Sequence, residues 1–389
     1  MDFLIIGGGI HGVHIATRLV GEADVAPEKI RIVDPGDELL GRWRTCTATT
    51  GMSYLRSPSV HHLDLDPFSL LRFAGKKKRR DPGLFVPPFD RPDLGLFNAH
   101  CDRVMETYGL SDLHIRDRAV ECSLHHDAAR VRLASGCEMA TQNIVLALGA
   151  GERPSWPEWA PRGDDRIRHI FEPGFDGWPS SGEPVAVIGG GISAVQVALR
   201  LVESDRPVHL VSRHALRQHQ FDSEPGWLGP KLMKDFNRER NMDRRRARIT
   251  DARHRGSVPR EVHRALRIAV TRGQVCWHEK EVAGIEAGRD GLRVRLSSDM
   301  VLDVGRVLLA TGFASKRPGG AMVDSLIDSA SLPCASCGYP IVDSGLRWHP
   351  RIYVSGPLAE LEVGPAARNI AGARRAGDKV VAAVRASSS

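Results

Sequence analysis

Two stretches of the chain, FLIIGGGIHGVHIATRLV from Phe3 and VAVIGGGISAVQVALRLV from Val185, space their glycines as a diphosphate site requires. In the first, Gly7, Gly9 and Gly12 fill the glycine positions of G-x-G-x-x-G. In the second, Gly189 and Gly191 hold the first two positions and Ala194 the third, which the pattern allows. The chemistry needs small residues there: one makes a tight turn, one lets backbone approach a pyrophosphate, and one lets helix pack on strand. The free N–H groups and positive dipole end of the following helix then meet the phosphate charge.

What ends the next strand in each copy selects the nucleotide. The first runs through residues 29–33 into Asp34, a carboxylate that accepts hydrogen bonds from ribose hydroxyls. The second runs through residues 208–211 into Ser212, Arg213 and, after a short turn, Arg217. Guanidinium forks there favour a 2′-phosphate over a free hydroxyl. One site for a free ribose and one for a phosphorylated ribose imply two cofactors, and FAD with NADPH is the expected pair.

The elements that must position these turns alternate as strand, helix, strand, which predicts an α/β chain with two Rossmann-like dinucleotide-binding domains. Two apolar strands, IVLALGAGERP from Ile144 and VLLATGFASKRP from Val307, are expected to return the chain under the flavin domain, with Gly149 and Gly312 allowing close approach of backbone to cofactor. In the closing segment from Ile352, Gly356 starts a turn, and Gly364 with Pro365 opens a helix whose N-terminus suits the pyrimidine edge of a flavin. The predicted layout is an FAD domain at 1–160 and 300–389, with an NADPH domain at 161–299 inserted into it. Residues 235–270 read as charged helices capping the NADPH domain.

Composition narrows the class. At 389 residues and 42% hydrophobic, the chain is globular. The 54 Lys and Arg against 47 Asp and Glu give a net charge of +7, a mild excess concentrated in GKKKRR from Gly75 and in a band around Arg244, Arg245, Arg246 and Arg248. No aromatic residues interleave with those charges, so a solvated face is favoured over nucleic acid. Seven scattered cysteines suit a reduced, cytoplasmic setting, and Cys334 with Cys337 lacks a second pair to complete a zinc site. No signal peptide or membrane-length apolar run is read, and no metal site is expected.

The order of these features resembles the two-dinucleotide-binding-domain flavoproteins, and within them the flavin-dependent monooxygenases, across essentially the whole chain. Gly41-Arg42-Trp43-Arg44 is similar to their G-x-W element, which implies that Trp43 and Arg44 lie at the flavin. Residues 52–74, MSYLRSPSVHHLDLDPFSLLRFA, resemble in layout a region of the ornithine and lysine N-hydroxylases. The C-x-x-x-x-C of flavin disulfide reductases is missing, with Cys46 alone in that region, and the Baeyer–Villiger signature is only echoed by His169 and Trp178-Pro179.

The resemblance implies an NADPH-dependent monooxygenase that hydroxylates a soft nucleophile, an amine nitrogen foremost, through a C4a-hydroperoxyflavin. Its partners would be a small-molecule substrate and molecular oxygen, and self-association stays open. Arg56, His61 and His62, in the segment bordering the flavin, are the candidates for tuning proton transfer. Gln220 and Asp222, in QHQFDSEPGWLGPK, are the candidates for the substrate side. The alternative is an NAD(P)H-dependent flavin reductase or oxidase passing electrons to another acceptor.

Overall fold

The computed structural model describes residues 1–76, 81–180, 182–203, 206–288 and 291–388, so part of the GKKKRR run lies outside the described residues. In chain order the first part gives β1 (Phe3–Ile6), α1 (Ile10–Gly21), β2 (Ile30–Asp34), α2 (Gly41–Thr50) and α3 (Ser69–Ala74). A small hairpin of β3 (Phe85–Val86) and β4 (Arg91–Pro92) precedes α4 (Leu94–Thr107) and β5 (His114–Arg116). A meander of β6 (Ala119–Leu124), β7 (Ala129–Leu133) and β8 (Glu138–Thr141) leads into β9 (Asn143–Leu146).

The second part gives β10 (Ile167–His169), β11 (Val185–Ile188), α5 (Ile192–Val202), β12 (Val208–Ser212) and β13 (Arg217–Gln218). Then come α6 (Pro230–Arg238), α7 (Met242–Ala252), β14 (Ser257–Val258), α8 (Arg260–Thr271) and β15 (Val275–Glu279). A second meander, β16 (Val282–Ala287), β17 (Leu292–Leu296) and β18 (Val301–Val304), leads into β19 (Arg306–Leu309). The chain closes with α9 (Gly320–Ala330), β20 (Arg347–His349), β21 (Ile352–Val354), α10 (Glu360–Val363) and α11 (Ile370–Ser388).

All four residues of β1 and all four of β11 are buried, as central strands covered on both faces must be. β1 sits in a sheet ordered β20-β21-β9-β1-β2-β5, and β11 in one ordered β10-β19-β11-β12-β15. The registers repeat: Phe3 is opposite Ile30 and Asn143, and Val185 is opposite Val208 and Arg306, all parallel. Each sheet thus places its glycine turn at the carboxyl end of its central strand, where open α/β sheets bind ligands.

This pairing corrects the expected role of β19. It lies beside β11 in the second sheet rather than returning to the first domain, so residues 301–309 belong to the inserted domain and the boundary at 299/300 falls too early. An apolar strand carries no mark of which sheet it joins; its place follows from the duplication, β19 standing to β11 as β9 stands to β1. Re-entry comes with α9, which packs on β6. The charged helices divide as well. α8 packs on α5 of the second domain, whereas α6 and α7 bury Met233, Phe236 and Ile249 with Tyr339 and Leu361 of the closing segment.

Candidate functional site

In the first cradle folding accounts for two glycines and leaves the third to binding. Gly7 has φ +113°, and a Cβ there would stand 2.5 Å from the Ala147 carbonyl oxygen. A Cβ on Gly12 would lie 1.8 Å from the Gly7 carbonyl oxygen. A Cβ on Gly9 would meet nothing within 4 Å. Gly9 caps α1 without a side-chain hydrogen bond, so the first-turn N–H groups border that open space. The Asp34 carboxylate accepts from the Gly8 N–H at 2.7 Å and the Gly36 N–H at 2.8 Å, which fixes its orientation. Each oxygen keeps a further lone pair for a ribose hydroxyl.

His11, inside the same motif, was not singled out by sequence. Its Nδ1 shares a 2.8 Å hydrogen bond with the Ser355 hydroxyl, and its buried Nε2 has no partner among the described residues. Burial pushes its pKa down to about 4, opposed by the nearby Asn369 backbone carbonyl, so the ring is neutral at physiological pH. Gly356, at φ +64°, lies against this ring, where an added Cβ would be 3.7 Å from it.

The helix expected at Gly364-Pro365 starts later. Gly364 has φ +86° and Pro365 opens only a short 3-10 turn, Pro365–Arg368. Arg368 is drawn back to Glu360 and Asn369 is extended, which interrupts the helix before Ile370. Asn369 then caps α11, its Oδ1 accepting from the Gly372 N–H at 2.9 Å. The N-terminus available to a flavin is therefore that of α11, and Asn369, an Asn just before a helical run, is its sequence signal.

In the second cradle Gly189 has φ +157°, and a Cβ there would be 2.4 Å from the Ala310 carbonyl oxygen and 3.0 Å from the Ala194 methyl. Gly191 faces another glycine, Gly256, at 3.4 Å from its would-be Cβ, so no side chain fills the approach. The Ser212 hydroxyl is used internally, donating to the His214 carbonyl at 3.0 Å and accepting from Trp277 Nε1 at 2.9 Å. Arg213 and Arg217 are exposed, and their guanidiniums have no partner among the described residues. Gly312 has φ +79° and open space beside it, whereas Gly149 has φ −77° and does not require glycine for its backbone.

Between the cradles Arg56 acts as a clamp. It donates to the carbonyls of Gln220 and His219, both at 2.9 Å, and to the Ser257 hydroxyl at 3.1 Å, tying the first domain to the loop after β13. That loop carries Asp222, whose carboxylate accepts from Asn369 Nδ2 at 3.3 Å, and Gln220, whose buried Nε2 has no partner. Arg56, Gln220 and Asp222 are thus brought to the α11 N-terminus and, through Asn369, to His11. Phe221 packs on Phe89 of the β3–β4 turn with ring centroids 5.2 Å apart.

The remaining candidates each have partners of their own, and Trp43 and Arg44 follow Leu40, whose N–H donates to the Gly8 carbonyl of the first turn at 2.8 Å. His62 is fully buried, its Nδ1 accepts from the Asp64 N–H at 3.2 Å and its Nε2 donates to the Pro67 carbonyl at 3.1 Å. Burial and the neighbouring His100 hold its pKa down to about 3, so it has no free nitrogen to shuttle a proton. His61 is partly exposed and held down to about 4 by burial and Arg374. Trp43 donates to Asn98 at 3.1 Å and packs on Phe97, and Arg44 is paired with Asp102 and Glu38. Among the described residues no group of three or more His, Cys, Asp or Glu could hold a metal, and no helix is long and apolar enough to cross a membrane.

A protein-family model described as FAD-NAD(P)-binding matches residues 4–151. No curated protein matches by sequence. An ornithine hydroxylase from Pseudomonas aeruginosa is similar with a TM-score of 0.78 at 17% identity, covering 100% of this chain and 99% of that one. The chain shares its fold. The cadaverine monooxygenase of desferrioxamine biosynthesis from Erwinia amylovora, solved bound to FAD, is similar at TM-score 0.72 and 15% identity, over 98% of this chain and 94% of that one. A bacillithiol disulfide reductase from Staphylococcus aureus is similar at TM-score 0.66 and 13% identity, over 100% and 99%.

Proposed function

We propose that the chain is an FAD-dependent, NADPH-consuming monooxygenase that hydroxylates a soft nucleophile, with an amine nitrogen as the favoured target. The observation that carries this reading is the pair of glycine cradles joined by one seam, the first ending in a carboxylate and the second in two unpaired arginines. The fold shared with ornithine and cadaverine hydroxylating enzymes supports the reaction class. The open side of Gly9 and the unpartnered Nε2 of His11 fit a dinucleotide in the first cradle.

When bound, FAD supplies hydride acceptance from NADPH and activation of molecular oxygen. The chain's own residues bind and orient. The α1 N-terminus holds the diphosphate, Asp34 the ribose hydroxyls, and Arg213 with Arg217 the 2′-phosphate of NADPH. The Asn369-capped end of α11 would offer its dipole to a negatively charged group of the flavin. Asp222, fixed by Asn369, holds the cationic end of an amine, and Phe89 with Phe221 shields that side from water. Soft-nucleophile oxygenation asks for no side-chain nucleophile.

The likeness to a disulfide reductase favours a second reading, electron transfer to another acceptor, since fold alone does not separate the two. Cys46, the cysteine nearest the first cradle in sequence, has its thiol pKa pushed up by burial, the reverse of what thiolate chemistry needs. The experiment is to reconstitute with FAD, bleach with NADPH under nitrogen, and then in air match NADPH consumption to product across a panel of diamines and basic amino acids. Consumption matched to a hydroxylamine carries the reading. Consumption that appears only as peroxide, or that follows a disulfide, sinks it.

A further inference from the structure

We propose that the solvent face of α8 binds a small polyphosphate anion in addition to the two dinucleotides. Gln218, Arg260, His263, Arg264, Arg267 and Arg272 line a space of about 450 Å³ there. The space is an open groove on the helix surface rather than an enclosed cavity. Arg260, Arg264 and Arg267 recur at i, i+4 and i+7 along one face, and Arg272 follows at the helix end.

None of these four guanidiniums has an acidic, carbonyl or aromatic partner among the described residues. The contrast with α7 is direct. Arg245 is bound to Glu362 and the Leu361 carbonyl, Arg246 to Glu360, and Arg248 to the Asp235 carbonyl, so those arginines build the fold. On α8 the one acidic residue, Glu261, is turned away to Arg91 of the first domain at 2.6 Å. Like charges at i, i+4 and a cation in the first turn of a helix both oppose folding. A face that bears this cost, unrelieved by any carboxylate, is one that an anion relieves.

The rest of the lining suits a condensed phosphate. Gln218 Nε2 donates to His263 Nδ1 at 3.2 Å, so the proton of the neutral ring is on Nε2, which remains a donor. Guanidinium forks pair with phosphate oxygens bidentately. Four of them along about 18 Å of helix match a chain of several phosphates rather than one. Ile268, 44% exposed at the same groove, offers an apolar wall to a nucleoside if one is attached. No Phe, Tyr or Trp lines the groove to stack the bases of a nucleic acid, which favours a small anion over RNA or DNA.

The test uses the full chain loaded with FAD and saturated with NADP+, so that both cradles are filled, and titrates tripolyphosphate and ATP calorimetrically at physiological salt. We expect saturable binding of one equivalent that weakens about tenfold for each arginine removed. It is read in R264Q/R267Q and independently in R260Q/R272Q, with NADP+ affinity unchanged in both. ATP binding more tightly than tripolyphosphate identifies a nucleotide as the source, and equal affinity an inorganic chain. Competition with NADP+, undiminished affinity in both variants, or no saturable binding overturns the site. Tighter binding of an oligonucleotide through the same arginines would overturn it in favour of nucleic acid. Because neither readout is oxygenation, failure here leaves the monooxygenase reading standing.

Discussion

A methyl group added at Gly12 would sit 1.8 Å from the Gly7 carbonyl oxygen, whereas one added at Gly9 meets nothing within 4 Å. The two positions therefore separate folding from binding. Gly9→Ala should cost the apoprotein no more than about 1 kcal/mol, the size of a helix-cap change. It should weaken FAD binding on the order of tenfold or more, because the methyl takes the space a diphosphate needs. Gly12→Ala should destabilise the apoprotein itself by about 3 kcal/mol. Apoprotein melting set beside a flavin fluorescence titration distinguishes the two, and an unchanged FAD affinity in Gly9→Ala would remove the first cradle from the proposal. In the second cradle, Arg213→Ala should raise the KM for NADPH about tenfold, the worth of one charge-assisted contact, and leave that for NADH unchanged. Equal losses for both nucleotides would place the 2′-phosphate elsewhere.

Glycine turns, the strands feeding them and the residues ending the next strands are local features, and all were readable in sequence. What sequence hid is non-local. The arginine band around Arg245 reads as a solvated face, yet its partners Glu360 and Glu362 come from the closing segment, Glu362 being 117 residues away from Arg245. The surroundings of His11 are likewise non-local, since Ser355 and Asn369 arrive only when the chain's end folds back. Within the α7–α10 contact, Glu360 is wholly buried, paired with Arg246 and held by Arg368 Nε at 2.8 Å and Nη2 at 3.0 Å. Replacing it leaves two guanidiniums facing one another without a countercharge. Glu360→Gln should lower stability by about 3–5 kcal/mol. Replacing the three residues together with apolar side chains of similar volume should recover most of that loss, because the desolvation of three charges is then avoided. Denaturant titration decides; a neutral Glu360→Gln would mean that water reaches the pair.

Across the whole molecule the two domains are joined by arginines reaching carbonyls and one carboxylate: Arg42 to Phe171, Arg56 to His219 and Gln220, Arg200 to Ala48 and Thr49, and Arg91 to Glu261. Guanidinium does not titrate in the accessible range, so the joints to carbonyls persist on acidification. The buried histidines do not. His62, His100 and His169 are almost fully buried, and burial pushes their pKa values down to about 3, 4 and 4. The unfolded chain protonates each near pH 6.5. Below that pH the unfolded state binds more protons than the folded one, so unfolding stability falls as pH falls from about 6.5 towards 4 and is fully present above about 7. The carboxylates held low by their hydrogen bonds, Asp66, Asp117 and Asp164, lose their contribution only at lower pH, outside this window. Urea midpoints from pH 8 to 4 should therefore be flat and then decline by an amount on the order of several kcal/mol in all. Because His100 contacts Ser69 at 2.6 Å through one nitrogen and leaves the other buried without a partner, His100→Gln should shallow that decline by about one proton's worth. Stability that stays level down to pH 4 would mean these rings are protonated in the folded state, and the neutral hydrogen bonds assigned to His62 would have to be redrawn.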